Sequence, residues 1–350
     1  MPMDDSSANP APFGVLWSVT QRCNLKCAYC LAEGSSTDFV ELPFPSLIRI
    51  ADKLIQCGTR NVALSGGEPF LRPDIFDLID YLQAAGVRVT LNTNGTIVTR
   101  AIARRLAERD VVTGVSLDGS KEVINARTRS AGSFERAVRG ARHLVSEGVI
   151  TSILVTVTRC NFNRLLELCE LVYGLGIRVM TLQDFHPVGR GGGQYERFAL
   201  TRSQERRVLP TFGRIAERFP ELKVNPTAAG YWATLGHPQD ERVPKNSPMN
   251  LFEGKACNTG LCIDAAGTMY RCPSLSMLPL GNALEDDPME AWESSEAARA
   301  YKMLASIPVS AIPGCADCGF NNLCCGGCRA DAYTLTGDWL SPHPRCPRTG

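Results

Sequence analysis

The chain has 350 residues, 44% of them apolar and 21% charged, with 37 basic against 36 acidic side chains. This is the composition of a globular protein of one large or two smaller domains, and its near-neutral balance gives no electrostatic footprint for nucleic acid or an anionic membrane. No apolar run approaches the roughly 18 residues needed to span a bilayer. The N-terminus, 1–12, reads as a disordered tail without the basic and apolar regions of a signal peptide, so a cytoplasmic location is expected. In a reducing compartment, fifteen cysteines are better explained as metal ligands than as disulfides.

From residue 13 onward, strand-like and helix-like segments alternate. Strands are expected at 15–20, 61–64, 87–91, 111–117, 150–157 and 177–182. Helices are expected at 45–58 (Leu47, Ile50, Ala51 and Leu54 at helical spacing), 74–85, 100–109, 133–147 and 163–173. Strands separated by helices imply parallel pairing with right-handed crossovers. Six such units are too few for a closed eight-fold barrel. The expected fold is α/β, a partial (β/α)6 TIM-like barrel over 13–224, with a doubly wound sheet as the alternative. A glycine run, Gly189 to Gly193, reads as a mobile loop near the barrel mouth, and 201–219 as a further helix. Residues 225–254, rich in proline and glycine, read as a linker or bridging region, and 255–350 as a small cysteine-rich iron–sulfur domain.

Chemistry in such folds collects where strands end and helices begin, and the informative residues fall there. After the first strand comes Cys23-Asn24-Leu25-Lys26-Cys27-Ala28-Tyr29-Cys30. A CxxxCxxC pattern would arise by chance only roughly 0.03 times in a chain with this cysteine content. Three thiolates satisfy three irons of a 4Fe–4S cluster and leave the fourth able to bind a ligand; a zinc knuckle is the alternative use of the same side chains. Ser65-Gly66-Gly67-Glu68-Pro69 follows the second strand, Asn92-Thr93-Asn94-Gly95 the third, and Ser116-Leu117-Asp118-Gly119 closes the fourth.

The cysteine triplet followed by Gly-Gly-Glu-Pro resembles the radical S-adenosylmethionine (SAM) superfamily, and the resemblance covers essentially the whole chain. It implies a 4Fe–4S cluster on Cys23, Cys27 and Cys30. SAM's methionine portion would chelate the open iron, and reductive cleavage would give a 5′-deoxyadenosyl radical that abstracts a substrate hydrogen. It also implies a SAM pocket. Gly66 and Gly67 permit close backbone approach, and Glu68 receives the SAM ammonium. Tyr29 lies beside the cluster and the adenine, Asn94 contributes to the same pocket, and Ser116 contacts the ribose. Arg127 or Arg129 pairs with the SAM carboxylate, and Phe185 offers its backbone to the adenine.

A second set of cysteines resembles the SPASM extension of these enzymes: Cys257, then Gly267 and Cys272, then Cys315-x2-Cys318-x5-Cys324-x3-Cys328 and finally Cys346. The resemblance implies auxiliary cluster I on Cys257, Cys262, Cys272 and Cys328. It places auxiliary cluster II on Cys315, Cys318, Cys324 and Cys346, with Cys325 as the alternative to Cys324. Three 4Fe–4S clusters are therefore expected, although a pair of structural zinc sites would use the same residues. Cys57, Cys160 and Cys169 read as ordinary buried thiols. In sulfatase-maturating members an Asp acting as base follows the third cluster-I cysteine; here that place is Pro273, which argues against that activity. Asp184 and His186, ending the sixth strand, are the candidate polar groups at the substrate face.

The resemblance implies an oxidoreductase that modifies a ribosomally made peptide by crosslink, thioether or decarboxylation, with an electron donor such as flavodoxin or ferredoxin. Cys23 comes so early that no N-terminal recognition domain is expected, and a separate leader-peptide-binding protein would then serve. The alternatives are a radical SAM dehydrogenase or epimerase acting on a small molecule such as a sugar or aminocyclitol, and a non-enzymatic iron–sulfur electron carrier.

Overall fold

A computed structural model describes residues 14–34, 39, 41–226, 260–319 and 321–346, with the side chains of 322 and 323 excepted. The tail at 1–12, nearly all of the 225–254 region, and Cys257 lie outside the described residues.

The strands, in chain order, are β1 (Gly14–Ser18), β2 (Asn61–Ser65), β3 (Arg88–Thr93), β4 (Val112–Ser116), β5 (Thr151–Val157), β6 (Val179–Asp184), β7 (Lys223–Pro226), β8 (Gly260–Ile263), β9 (Thr268–Tyr270) and β10 (Gly281–Asn282). They form one ten-stranded sheet in the order β10-β9-β8-β1-β2-β3-β4-β5-β6-β7. Every pair from β8 through β7 is parallel, and β9 and β10 are antiparallel additions. The six strands expected from periodicity thus form the middle of a longer row. The boundary expected at 224 falls inside β7, whose Pro226 had signalled a linker. β8, inside the expected cysteine-rich domain, pairs along β1 with Leu16 opposite Cys262. Four-residue strands carry too little periodicity to be read locally and are defined by their neighbours.

Burial alternates along most of these strands. In β1 and β2, Val15, Trp17, Val62 and Leu64 are buried, whereas Leu16, Ser18, Ala63 and Ser65 are half-buried. The buried face packs under helices Phe44–Gln56, Ile75–Ala84, Arg100–Ala107, Phe134–Ser146 and Leu165–Gly174 in one continuous core. A doubly wound sheet covers both faces and gives uniformly apolar strands. Among the described residues only one face is sealed, leaving an inner face that carries Ala63, Ser65, Asn92 and Ser116 together with the half-buried Leu16 and Leu154, as a partial barrel requires.

The helix expected at 201–219 is two, Arg202–Glu205 and Val208–Arg218. Pro210 has no N–H to give the Arg206 carbonyl, so a continuous helix is interrupted there and proline is tolerated in the first turn of the second segment. The Gly189–Gln194 stretch, expected as a mobile loop, is a 3-10 turn. Arg190 anchors it, donating from its backbone N–H to the Cys30 carbonyl at 3.0 Å and from its side chain to the carbonyls of Cys27 at 2.9 Å and Gly34 at 2.6 Å.

A smaller core of Leu275, Tyr301, Val309, Ile312, Cys325 and Ala330 organises the C-terminal region, with Cys272, Cys315 and Cys328 packed on it. Replacing Leu64 (0% exposed) by Ala should destabilise the chain by about 2–5 kcal/mol, read as a lower denaturant midpoint. Leu154→Ala, on the open face of β5, should give a distinctly smaller loss; equal losses would contradict a one-sided sheet.

Candidate active site at the strand ends

The loop leaving β1 is held by the loop leaving β2. Gly67 N–H donates to the Thr20 carbonyl and Glu68 N–H to the Arg22 carbonyl, both at 2.7 Å. A Cβ on Gly66 would sit 2.4 Å from the Thr20 oxygen, and one on Gly67 would sit 2.1 Å from the Arg22 oxygen. Only glycine allows two backbones to run this close. The glycine pair therefore fixes the start of the cysteine loop.

Cys23, Cys27 and Cys30 are each partly exposed. Burial pushes the Cys23 thiol up to about 11, with Glu68 and the other two cysteines adding to the shift. The Cys27 thiol is raised by burial too, against the opposing pull of Arg129 and Arg190. The three sulfurs thus share one electrostatic neighbourhood. A metal centre bound there would reverse these shifts, because ligation requires the thiolate.

Glu68 is fully buried. Its carboxylate accepts from Thr93 Oγ1 and Asn94 N at 2.8 Å each, and from Phe70 N at 3.4 Å. Among the described residues no cation pairs with it. Burial outweighs the hydrogen bonds and raises its pKa to about 7. A buried carboxylate without a counter-ion, next to three gathered thiols, is the donor set that a cluster and a cationic ligand would complete. The residues present fit both groups.

Asn94 is committed to the loop. Its Nδ2 donates to Asn24 Oδ1 at 2.8 Å and approaches Cys23 Sγ at 3.9 Å, while its Oδ1 accepts from Thr96 N at 2.9 Å. Ser116, at the end of β4, lies half-buried on the open face. Of the two arginines left open by the sequence, Arg127 is exposed and Arg129 is held in the site. Arg129 Nε lies 3.0 Å from Asp118 Oδ2, and its guanidinium lies 5.8 Å from the centre of the Tyr29 ring.

Asp118, quoted in the fourth strand-end motif but given no role there, is central to the site. It is wholly buried and accepts from Tyr29 Oη at 2.5 Å, Thr128 Oγ1 at 2.9 Å and Thr156 N at 3.0 Å. It ties the cysteine loop to β4, β5 and Arg129 together. Its position just past a strand end was the available signal. The Tyr29 ring meets Phe198 edge-on at 6.2 Å, and Phe198 meets Phe185 at 5.7 Å, so the Phe185 side chain belongs to a small aromatic core.

Asp184 and His186, expected at the substrate face, join the barrel to the C-terminal region. Asp184 forms a two-point pair with Arg345, one arm at 2.8 Å. His186 Nδ1 lies 2.9 Å from Asp331 Oδ1, and Cys328 is also a hydrogen-bond partner of this ring. Burial works against the imidazolium, but Asp331 overrides it and raises the pKa of His186. Both groups sit at the end of β6, where chemistry was expected, yet their partners come from residues some 145 and 161 positions later. No local pattern encodes that pairing.

Several of the later cysteines lie close to one another or to a shared neighbour. Cys272 lies within electrostatic reach of both Cys262 and Cys328. Cys315, Cys324 and Cys328 all lie within electrostatic reach of Arg329, and Cys318 N–H donates to the Cys315 carbonyl at 3.2 Å. Cys346 is held by its carbonyl, which accepts from Arg202 at 2.7 Å. Cys325 is buried in the small core, and Cys324 is half-buried. Cys325, Gly326 and Gly327 all have positive φ (49°, 72° and 76°), turning the chain sharply between Cys324 and Cys328.

The pH response of Glu68 has a definite sign. Folded Glu68 holds a proton up to about pH 7, whereas the unfolded chain releases it near 4.5. Its contribution to stability is therefore complete below 4.5 and is lost as pH rises through 7. In the iron-free chain, Glu68→Gln should remove this fall, worth on the order of 3 kcal/mol. Parallel stability–pH curves for the two proteins would contradict it.

The sequence matches the radical SAM superfamily over residues 17–172. It is 32% identical to the mycofactocin maturase MftC of Mycolicibacterium smegmatis, covering 96% of this chain and 83% of that protein. It is 30% identical to the AdoMet-dependent heme synthase of Methanosarcina barkeri, covering 96% of both. Its fold is similar to Streptococcus suis SuiB bound to the precursor peptide SuiA, with a TM-score of 0.78 at 18% identity, over 97% of this chain and 76% of that one. No helix among the described residues is long and apolar enough to cross a membrane. With the cysteine loop, the buried Glu68 and the open strand ends in place, the chain belongs to the radical SAM superfamily.

Proposed function

We propose that this radical SAM enzyme oxidatively modifies a ribosomally made peptide in the cytoplasm. Membership of the family implies SAM and a 4Fe–4S cluster, which together supply a 5′-deoxyadenosyl radical when bound. Cys23, Cys27 and Cys30 hold the cluster, and Gly66 and Gly67 fix their loop. Glu68 receives the SAM ammonium, the charge missing from its buried site. Arg129, oriented by Asp118, faces the SAM carboxylate in preference to Arg127. Ser116 meets the ribose, Tyr29 and the Phe185 backbone flank the adenine, and Asn94 keeps Cys23 in place.

Cys257, Cys262, Cys272 and Cys328 hold one auxiliary 4Fe–4S cluster, and Cys315, Cys318, Cys324 and Cys346 a second. With four thiolates each they serve electron transfer rather than substrate ligation. A flavodoxin or ferredoxin delivers the first electron, and a separate protein presents the leader peptide. Asp184 and His186 hold the C-terminal region against the barrel, and no catalytic acid or base is assigned to them.

The observation that carries the SAM site is the uncompensated carboxylate of Glu68 beside three thiols. The peptide substrate rests on the likeness to the mycofactocin maturases and on a fold shared with SuiB, seen with a precursor peptide. These relatives weigh against a sugar dehydrogenase and against a bare electron carrier. A second reading, heme-forming chemistry on an iron porphyrin, is favoured by near-full-length likeness to the heme synthase.

Reconstituted protein should hold about twelve irons per chain and release 5′-deoxyadenosine when given SAM and reductant without oxygen. Glu68→Gln should weaken SAM binding by about 10- to 100-fold at unchanged iron content; unaltered SAM affinity would remove Glu68 from the site. Short peptides encoded beside the gene should emerge lighter by two hydrogens or by a lost carboxyl group. Unchanged peptides together with formation of heme would transfer the function to the second reading.

A further inference from the structure

Arg329 opens the last helix, Arg329–Thr336, and is 1% exposed. One terminal nitrogen donates to the carbonyls of Trp339 at 3.1 Å and Ser341 at 2.7 Å, and the other donates to the Gly326 carbonyl. Its Nε has no hydrogen-bond partner. Carbonyl dipoles orient a guanidinium without neutralising it. Among the described residues no carboxylate forms an ion pair with Arg329; the nearby Asp331 is engaged by His186 at 2.9 Å and faces His343 at 3.7 Å. The remaining charge-bearing neighbours are sulfurs. Those of Cys315, Cys324 and Cys328 all lie within electrostatic reach of the guanidinium; in the reading proposed above, Cys328 holds the first auxiliary cluster and Cys315 and Cys324 the second.

A buried cation without an anion costs several kcal/mol. Arginine does not shed its proton to escape that cost as a lysine can. The site therefore calls for negative charge on the sulfur side, which is what thiolate-ligated clusters bring. A 4Fe–4S centre with four thiolates is anionic and becomes more so on reduction. We infer that Arg329 is a shared counter-charge seated between the two auxiliary clusters, favouring their reduced states so that an electron leaving the substrate passes onto them. This rests on the two-cluster reading above. Arg329 touches no substrate; it is a positioning residue acting through the clusters.

The test uses the full chain with Cys23, Cys27 and Cys30 changed to Ala, so that only auxiliary iron remains, followed by potentiometric titration monitored by electron paramagnetic resonance. On this background Arg329→Met should lower the reduced-to-oxidised ratio at a fixed potential about tenfold, a shift of ~59 mV to more negative values for a one-electron couple. Arg329→Lys, which keeps the charge, should titrate close to the parent. A Met variant that holds the parent's iron and titrates at the parent's potential would overturn the inference. If the Met variant holds no iron, retention of iron by the Lys variant supports the counter-charge, and loss in both overturns it. A parent without auxiliary iron would overturn the two-cluster reading, and this inference with it.

Discussion

Two backbones in near contact at the ends of β1 and β2 set the geometry of this site. The Gly67–Thr20 and Glu68–Arg22 hydrogen bonds, both 2.7 Å, extend parallel pairing past the last paired residues, Ser18 and Ser65. They bring Cys23 and Glu68 together without a side chain between them. The same contact carries Glu68 out of water, and its carboxylate then becomes the acceptor that fixes Thr93 and Asn94 at the end of β3. Asn94 in turn reaches back to Asn24 in the cysteine loop. Three strand ends are thus locked through one carboxylate.

Charge is distributed in a way that a chain without ligands does not need. Among the described residues, Glu68 is a buried carboxyl group with no cation paired to it, and Arg329 is a buried cation with no carboxylate ion-paired to it. Each is held by neutral dipoles that orient it. Where the protein's own chemistry is the purpose of a buried charge, it is paired, as in Asp118 with Arg129 and Asp184 with Arg345. The contrast separates charges that organise the fold from charges directed at something the fold receives.

The paired charges also explain how a cysteine-rich segment with a small core of its own stays in register with the barrel. β8 hydrogen-bonds along β1, Arg345 grips Asp184, Asp331 grips His186, and Arg202 holds the last cysteine's carbonyl. The end of β6 is the anchor for two of these links. That accounts for polar residues there that motif reasoning assigns to substrate chemistry.

The amino-acid order by itself determined the alternation of strands and helices, the cysteine triplet, the glycine pair before Glu68 and the spacing of the later cysteines. These are local properties: periodicity of two or 3.6 residues, and donors brought together within one loop. Only the tertiary structure left Arg127 exposed and set Arg129 against Asp118, placed Arg190 under the cysteine loop, paired Asp184 and His186 with the C-terminal region, and joined β7 and β8 to the sheet. Each of those outcomes depends on a partner dozens to more than a hundred residues away, or on whether burial leaves a charge paired. Neither quantity exists until the chain has closed on itself.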